Sequence, residues 1–264
     1  VGAQLFERTP RGVSLTQAGL AFLDDAKKLQ FLAEQAIVRT QRASRGELGS
    51  VDIGLFGSAV FSVLPTLLRP FCAERPDVRI ALHTMPKWEQ IEALRDRRLT
   101  IGFNRVFPEV PDLIVETVLK ERLVLALPAD HRLAQSSAID MRDLAGEPMI
   151  LYPASSRPGF VDTVIGLCRH AGFAPKVAME AEDVVTGVAL VSNGFGVCVV
   201  PASAASLKLE RVVYRPVDAQ SAYIELDCAY RRDDNSALLQ TLIAHTRRMQ
   251  AVQFAAGIAL PSVA

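Results

Sequence analysis

No stretch of this chain approaches the ~18 uninterrupted apolar residues that a membrane span requires. Its 50% hydrophobic content, spread over 264 residues, points instead to one large or two small packed domains. Charge of one sign is also lacking. Lys and Arg number 29 and Asp and Glu number 29, so there is no global pull on nucleic acid and any such contact must be local. Cysteine is scarce: Cys72, Cys168, Cys198 and Cys228 lie in apolar runs without a C-x-x-C pairing. They read as buried, reduced thiols of a cytosolic protein rather than metal ligands or disulfides. The G-x-S-x-G elbow, the P-loop and the G-x-G-x-x-G fingerprint are missing. His83, His131, His170 and His245 are scattered singly, none with a second His at i+4 to share a zinc ion. Trp88 and Phe61 fall on expected helices and read as core or interface. The expectation is a protein that is not an enzyme and needs no metal or cofactor.

What is present begins with a hairpin running into a long helix. Leu5-Phe6-Glu7-Arg8 and Val13-Ser14-Leu15 flank the turn Thr9-Pro10-Arg11-Gly12, where Pro presets φ at the second position and Gly tolerates the fourth. Thr16 is placed to cap the helix. From there the seam Phe22, Ala26, Leu29, Ala33, Ala36, Thr40 advances by alternating steps of four and three residues. That is the spacing of a helix packed lengthwise on another helix. Small residues let the partner come close, but the weakly hydrophobic seam needs support from elsewhere in the molecule. Ser44-Arg45-Gly46-Glu47-Leu48-Gly49-Ser50 is a polar joint that ends the helix.

Beyond the joint, short apolar strands alternate with helices. Strands are expected over 51–56, 78–83, 100–104, 113–117 and 122–127, with helices over 58–73 and 86–97. This order implies a parallel sheet with right-handed crossovers. A second region has surface loop over 130–140, short helix at 141–144, strand 149–151, helix 158–171, strand 176–178, helix 183–193 and strand 196–200. Strands over 212–214 and 224–230 and an amphipathic helix over 236–249 follow. Gly194-Phe195-Gly196 follows a helix and precedes a strand, the wrong order for a phosphate loop. The reading is an α/β protein of two lobes, residues 51–124 with 223–250 and residues 125–222, with a hinge at two chain crossings. A cleft between lobes is the usual place for a small ligand.

Three helices are expected to start just past a strand with a hydroxyl residue nearby: Gly57-Ser58, Thr84-Met85-Pro86 and Ser155-Ser156-Arg157-Pro158. Helix starts at the carboxyl ends of strands offer unpaired N–H groups and partial positive charge, which suits an anion. Arg105, at the end of its strand, either pairs with a second carboxylate or makes a lobe-stabilising ion pair.

The run Leu5 to Gly19 resembles the wing and linker-helix start of LysR-type transcriptional regulators. The leucine–phenylalanine pair, Arg8, Arg11 and Leu15-Thr16-Gln17-Ala18-Gly19 all match. Further likeness lies at Thr100-Ile101-Gly102-Phe103-Asn104-Arg105 and from Gly194 to Pro201. Leu151-Tyr152-Pro153 through Phe160, with Arg105-Val106-Phe107-Pro108, resembles the subgroup that controls aromatic-compound degradation and responds to muconate-type dicarboxylates.

The resemblance implies a two-lobed effector domain with the fold of periplasmic solute-binding proteins, over 47–250. A wing remnant of a winged helix-turn-helix, 1–15, and a linker helix, 16–46, would precede it, with a tail over 251–264 that frays. About fifty further residues carrying the helix-turn-helix would come first. The implied effector site comprises Ser58, Thr84, Pro158, Gly159 and Phe160, with Asp183 nearby. Glu182-Asp183 departs from better-known members and would oppose a dicarboxylate if it faced inward. Arg8 and Arg11 would touch DNA phosphate or minor groove. Phe22, Leu29, Ala33 and Ala36 would pair copies, in dimers or dimers of dimers. A small carboxylate effector, DNA as partner, no membrane and a cytoplasmic location complete the expectation. The alternative is a solute-binding or transport receptor of the same fold, which has no use for Arg8, Arg11 or the seam.

Overall fold

A computed structural model describes residues 1–10, 12–61, 63–153, 157–219 and 222–255. The hairpin forms as β1 (Phe6–Thr9) and β2 (Gly12–Leu15), antiparallel, with Phe6 opposite Leu15. Helix α1 (Gln17–Ser44) follows, capped by Thr16, whose hydroxyl accepts from Gly19 N–H at 2.9 Å and donates to Gln4 O at 2.7 Å. Gly19 is the one buried residue of α1, and a Cβ there would stand 2.0 Å from Leu5 O. The glycine of the motif is thus needed for the hairpin to lie against the helix. The joint ends α1 as expected. Gly46, at φ +67°, donates to Ala43 O (3.0 Å) and Glu47 N–H to Arg42 O (2.9 Å), the paired bonds of a Schellman cap.

The first lobe contains β3 (Gly49–Leu55), α2 (Val63–Glu74), β4 (Val78–Thr84), α3 (Lys87–Arg95) and β5 (Ile101–Asn104). Strand β3 pairs in parallel with both β4 and β5, as the alternating pattern predicts. The helix expected over 58–73 opens instead with a 3-10 turn, Gly57–Phe61, before α2 begins. A larger difference is β6 (Leu113–Pro128), one strand of 16 residues where two are expected. The polar run Lys120-Glu121-Arg122 looks like a break but pairs with Glu225, Ile224 and Tyr223 of β11 (Tyr223–Arg231). From Leu123 onward the same strand pairs with β9 (Cys198–Pro201) and β10 (Val212–Pro216). The chain therefore passes from lobe to lobe inside a continuous strand, and returns just before β11.

The second lobe adds β7 (Pro148–Leu151) and β8 (Lys176–Glu180), which are parallel, together with α4 (Phe160–His170) and α5 (Val184–Ser192). Short 3-10 turns occupy Met141–Leu144, as expected, and Ala202–Ser206, which was not. Ile139 is not on a surface loop: it is fully buried and bridges to Val217. Helix α6 (Ala237–Ala255) returns to the first lobe and continues past the expected end at 249.

The core lies in two parts. Val51, Ile53, Phe71, Ile101, Phe103 and Leu242 fill the first lobe. In the second, Leu123, Leu125 and Leu127 point to one face of β6 and Val124 and Ala126 to the other, each into its own cluster. Burial on both faces explains why that segment reads as an unbroken apolar run. Cys168, Cys198 and Cys228 are buried as expected, whereas Cys72 is exposed. The buried stripe of α2 runs through Val63, Leu64, Leu67 and Phe71, and Cys72 falls one residue, about 100°, off it. No helix among the described residues is long and apolar enough to cross a membrane.

Candidate functional site

Between the lobes lies a cleft of about 270 Å³. The first lobe contributes Phe56, Gly57, Ser58, Pro86, Lys87, Trp88, Asn104 and Arg105, and the second Tyr152, Gly159, Phe160, Glu182 and Asp183 among others. Ser58, Arg105, Gly159 and Phe160, expected from the sequence, thus meet around one cavity. Thr84 does not line it. It is exposed at the end of β4, and the chain takes two more residues to turn, so that Pro86 occupies the α3 cap with no side-chain bond. Pro158 is also exposed and absent from the lining, but its carbonyl accepts from the Lys87 ammonium. Ser155 and Ser156 lie outside the described residues, as does Arg11. Arg8 is exposed on β1.

The free helix starts expected to hold an anion are largely occupied. At α4 the Gly159 N–H donates to its own Asp162 carboxylate at 2.9 Å. At α5 the Asp183 carboxylate accepts from Thr186 N–H at 2.8 Å. The start near Ser58 is a single 3-10 turn. Positive charge in the cleft comes from side chains instead, and Lys87 is the one that sequence reading missed. It is 7% exposed, follows the cap directly, and its ammonium also donates to Val106 O at 3.0 Å. Burial lowers its pKa below the usual lysine value, partly offset by Asp162. Val106 holds a left-handed φ of +56°, costly for a β-branched residue. The Lys87 bond to its carbonyl, and the Arg105 N–H bond to Asn104 Oδ1 at 2.8 Å, fix the backbone around that conformation.

Arg105 takes the ion-pair role. It is 9% exposed, pairs with Glu121 of β6, and donates to Ser58 Oγ at 3.3 Å. Glu121 also accepts from Ser203 N–H at 2.8 Å, and the Ser203 and Ser58 hydroxyls are 2.8 Å apart. This buried polar cluster joins the first lobe, the crossing strand and the turn after β9 at the floor of the cleft. For Trp88, expected in core or interface, the structure excludes the core: the residue is 48% exposed and forms part of the cleft wall. Tyr152 and Phe160 pack at 5.2 Å on the opposite side. Burial raises the Tyr152 pKa well above its usual value, so the hydroxyl stays neutral. The histidines are satisfied locally; His245, for example, lies 2.9 Å from Glu74.

Residues 44–251 match the model of the LysR substrate binding domain. The chain belongs to the LysR family of transcriptional regulators. It is 38% identical to the HTH-type transcriptional regulator TfdS of Cupriavidus pinatubonensis, over 94% of this chain and 84% of that protein. Full-length CbnR in complex with its target DNA superposes with a TM-score of 0.84 at 32% identity, over 94% of this chain and 84% of that one. The BenM effector binding domain with benzoate superposes at 0.70 and 29% identity, over 81% of this chain and 96% of that domain. In this LysR-type regulator the two-lobed fold and the long leading helix therefore match solved relatives. The transport-receptor alternative finds no support among them.

Lys87, Asn104, Tyr152, Glu121 and Ser203 are among the cleft and cluster residues to which sequence reading gave no role. Lys87 left a trace by standing next to the expected helix start at Pro86, and Asn104 by lying in the run from Thr100 to Arg105.

Proposed function

We propose that this regulator senses a small carboxylic acid from aromatic-compound catabolism in the interlobe cleft and passes the event through α1 to DNA. The single observation that carries the reading is Lys87. It is a buried cation on the first lobe whose ammonium bonds the backbone of the second lobe at Pro158, within a cavity walled by Trp88, Tyr152 and Phe160. An acid bound there engages both lobes at once, so binding and lobe position are coupled. The DNA-bound relative supports the output, and the benzoate-bound relative supports the class of input. Arg8, on β1, and Arg11 take positioning contacts to DNA phosphate, while base reading belongs to a helix-turn-helix. Residues 16–46 act as the pairing helix, with Phe22, Leu29, Ala33 and Ala36 facing a second copy, and 47–250 as the effector domain. A cytoplasmic location and the absence of catalysis follow from the same reading.

A thermal-shift and calorimetric screen of carboxylic acids tests the site. Benzoate should raise the melting temperature of the wild type. In Lys87→Met, affinity should fall by tenfold or more, since hydrogen bonds to a charged group are worth about 1.5–3 kcal/mol. Equal affinity in Lys87→Met, or no acid that shifts the wild type, would overturn the reading.

A further inference from the structure

Asn104 closes β5 at the back of the cleft and is 8% exposed. Its Oδ1 accepts from Arg105 N–H at 2.8 Å, which fixes the orientation of the amide. Its Nδ2 is buried and has no hydrogen-bond partner among the described residues. A buried donor left unsatisfied beside a cavity is a place for an acceptor on a ligand. Two residues on, the carbonyl of Val106 receives the Lys87 ammonium. The cleft is therefore lined by both an amide donor and a cation, the cation bonding the backbone two residues past the amide.

The other charges in the cleft point the opposite way. Arg105 is engaged by Glu121 and carries little free positive charge toward a ligand. Glu182 and Asp183 both line the cavity, Glu182 exposed and Asp183 held at the start of α5. A second carboxylate on the ligand would meet this acidic pair without a cation to offset it, whereas a hydroxyl or amino group would find acceptors. Trp88, Tyr152 and Phe160 supply aromatic walls for a ring between the two ends.

We propose that the cleft selects aromatic acids bearing one carboxylate and one hydrogen-bond-donating substituent, with Asn104 Nδ2 and Lys87 reading the carboxylate and Glu182 and Asp183 reading the donor. The inference rests on the acid-sensing reading above and narrows it. It sets this chain apart from a receptor for dianionic diacids.

Calorimetry on the full chain with 3-hydroxybenzoate, benzoate and cis,cis-muconate tests it. The wild type should bind 3-hydroxybenzoate at least tenfold more tightly than muconate, with benzoate weaker than its hydroxylated form. Asn104→Asp keeps the shape and the acceptor for Arg105 N–H but loses the donor, and should weaken both benzoates at least tenfold. Glu182→Gln/Asp183→Asn retains a good helix cap, because Asn caps as well as Asp. It should shift the preference toward muconate by at least tenfold. Tighter binding of muconate by the wild type, or a preference unchanged in the double variant, overturns this inference while leaving acid sensing intact. Failure of every acid to bind the wild type overturns both.

Discussion

Lys87 shows how one side chain can bear on stability and on binding with opposite signs. Burial lowers its folded-state pKa below 10.5, its value in the unfolded chain. Between those two values the unfolded chain holds a proton that the folded one has lost, so stability rises with pH across that window. An acidic ligand needs the ammonium, so its affinity falls across the same window. The expected outcome is a decline in benzoate affinity as pH is raised from neutral toward 10.5, with Lys87→Arg giving a flatter profile because guanidinium does not titrate there. Calorimetry at several pH values, beside urea melts of the free protein, separates the two slopes. Parallel affinity profiles for wild type and Lys87→Arg would remove Lys87 from the binding step. Such roles were only partly legible in the sequence. Ser58, Gly159 and Phe160 came through motif resemblance, and Arg105 through its place at the end of a strand. Asn104, Glu121 and Ser203 did not, because what each does depends on burial and on which atoms the other lobe presents.

Elements were more legible where a local rule sets them. Pro10 and Gly12 mark a turn, Thr16 caps α1, and the parallel pairing of β3 with β4 and β5 follows from their alternation with helices. The failures came where tertiary context overrides local pattern. Lys120-Glu121-Arg122 suggested a break, yet β6 runs through it because β11 lies alongside as partner. Thr84 suggested a cap, yet the cap position falls to Pro86. The end of α1 is the most consequential local rule. Gly46 holds φ +67° and a Cβ there would sit 3.0 Å from the backbone of Ala237 and Leu238. Beside it Arg42 pairs with Asp77 of the first lobe, and Arg45 with Glu47 at 2.7 Å. Gly46→Ala should cost about 1–2 kcal/mol, the price of a left-handed alanine, and loosen the grip of α1 on the lobe. Urea denaturation measures the loss, and hydrogen exchange at residues 43–48 locates it. An unchanged midpoint with native protection would show that the cap does not fasten the helix.

At the scale of the whole molecule, α1 is anchored at its two ends and carries exposed apolar side chains between them. Phe22, Leu29, Phe31 and Ile37 are exposed, Leu29 at 64%, whereas a surface helix lying on its own domain buries one apolar stripe. Phe22, Leu29, Ala33 and Ala36 lie along one line, and a two-fold axis across that line brings the same residues of a second copy into register, so one substitution acts twice. Burying a leucine is worth about 1.5–3 kcal/mol. Two copies replaced by glutamate therefore remove roughly 3–6 kcal/mol, on the order of 10²–10⁴-fold in the dissociation constant. Leu29→Glu should convert the assembly to monomer at micromolar concentration in sedimentation velocity. Phe31→Glu is the control, because two residues further on the side chain is turned by about 200° and points away from the seam. If the two variants dissociate equally, the pairing face is broader than the seam. If Leu29→Glu remains assembled, α1 does not join the copies along this line, and a bound acid would need another path from the cleft to DNA.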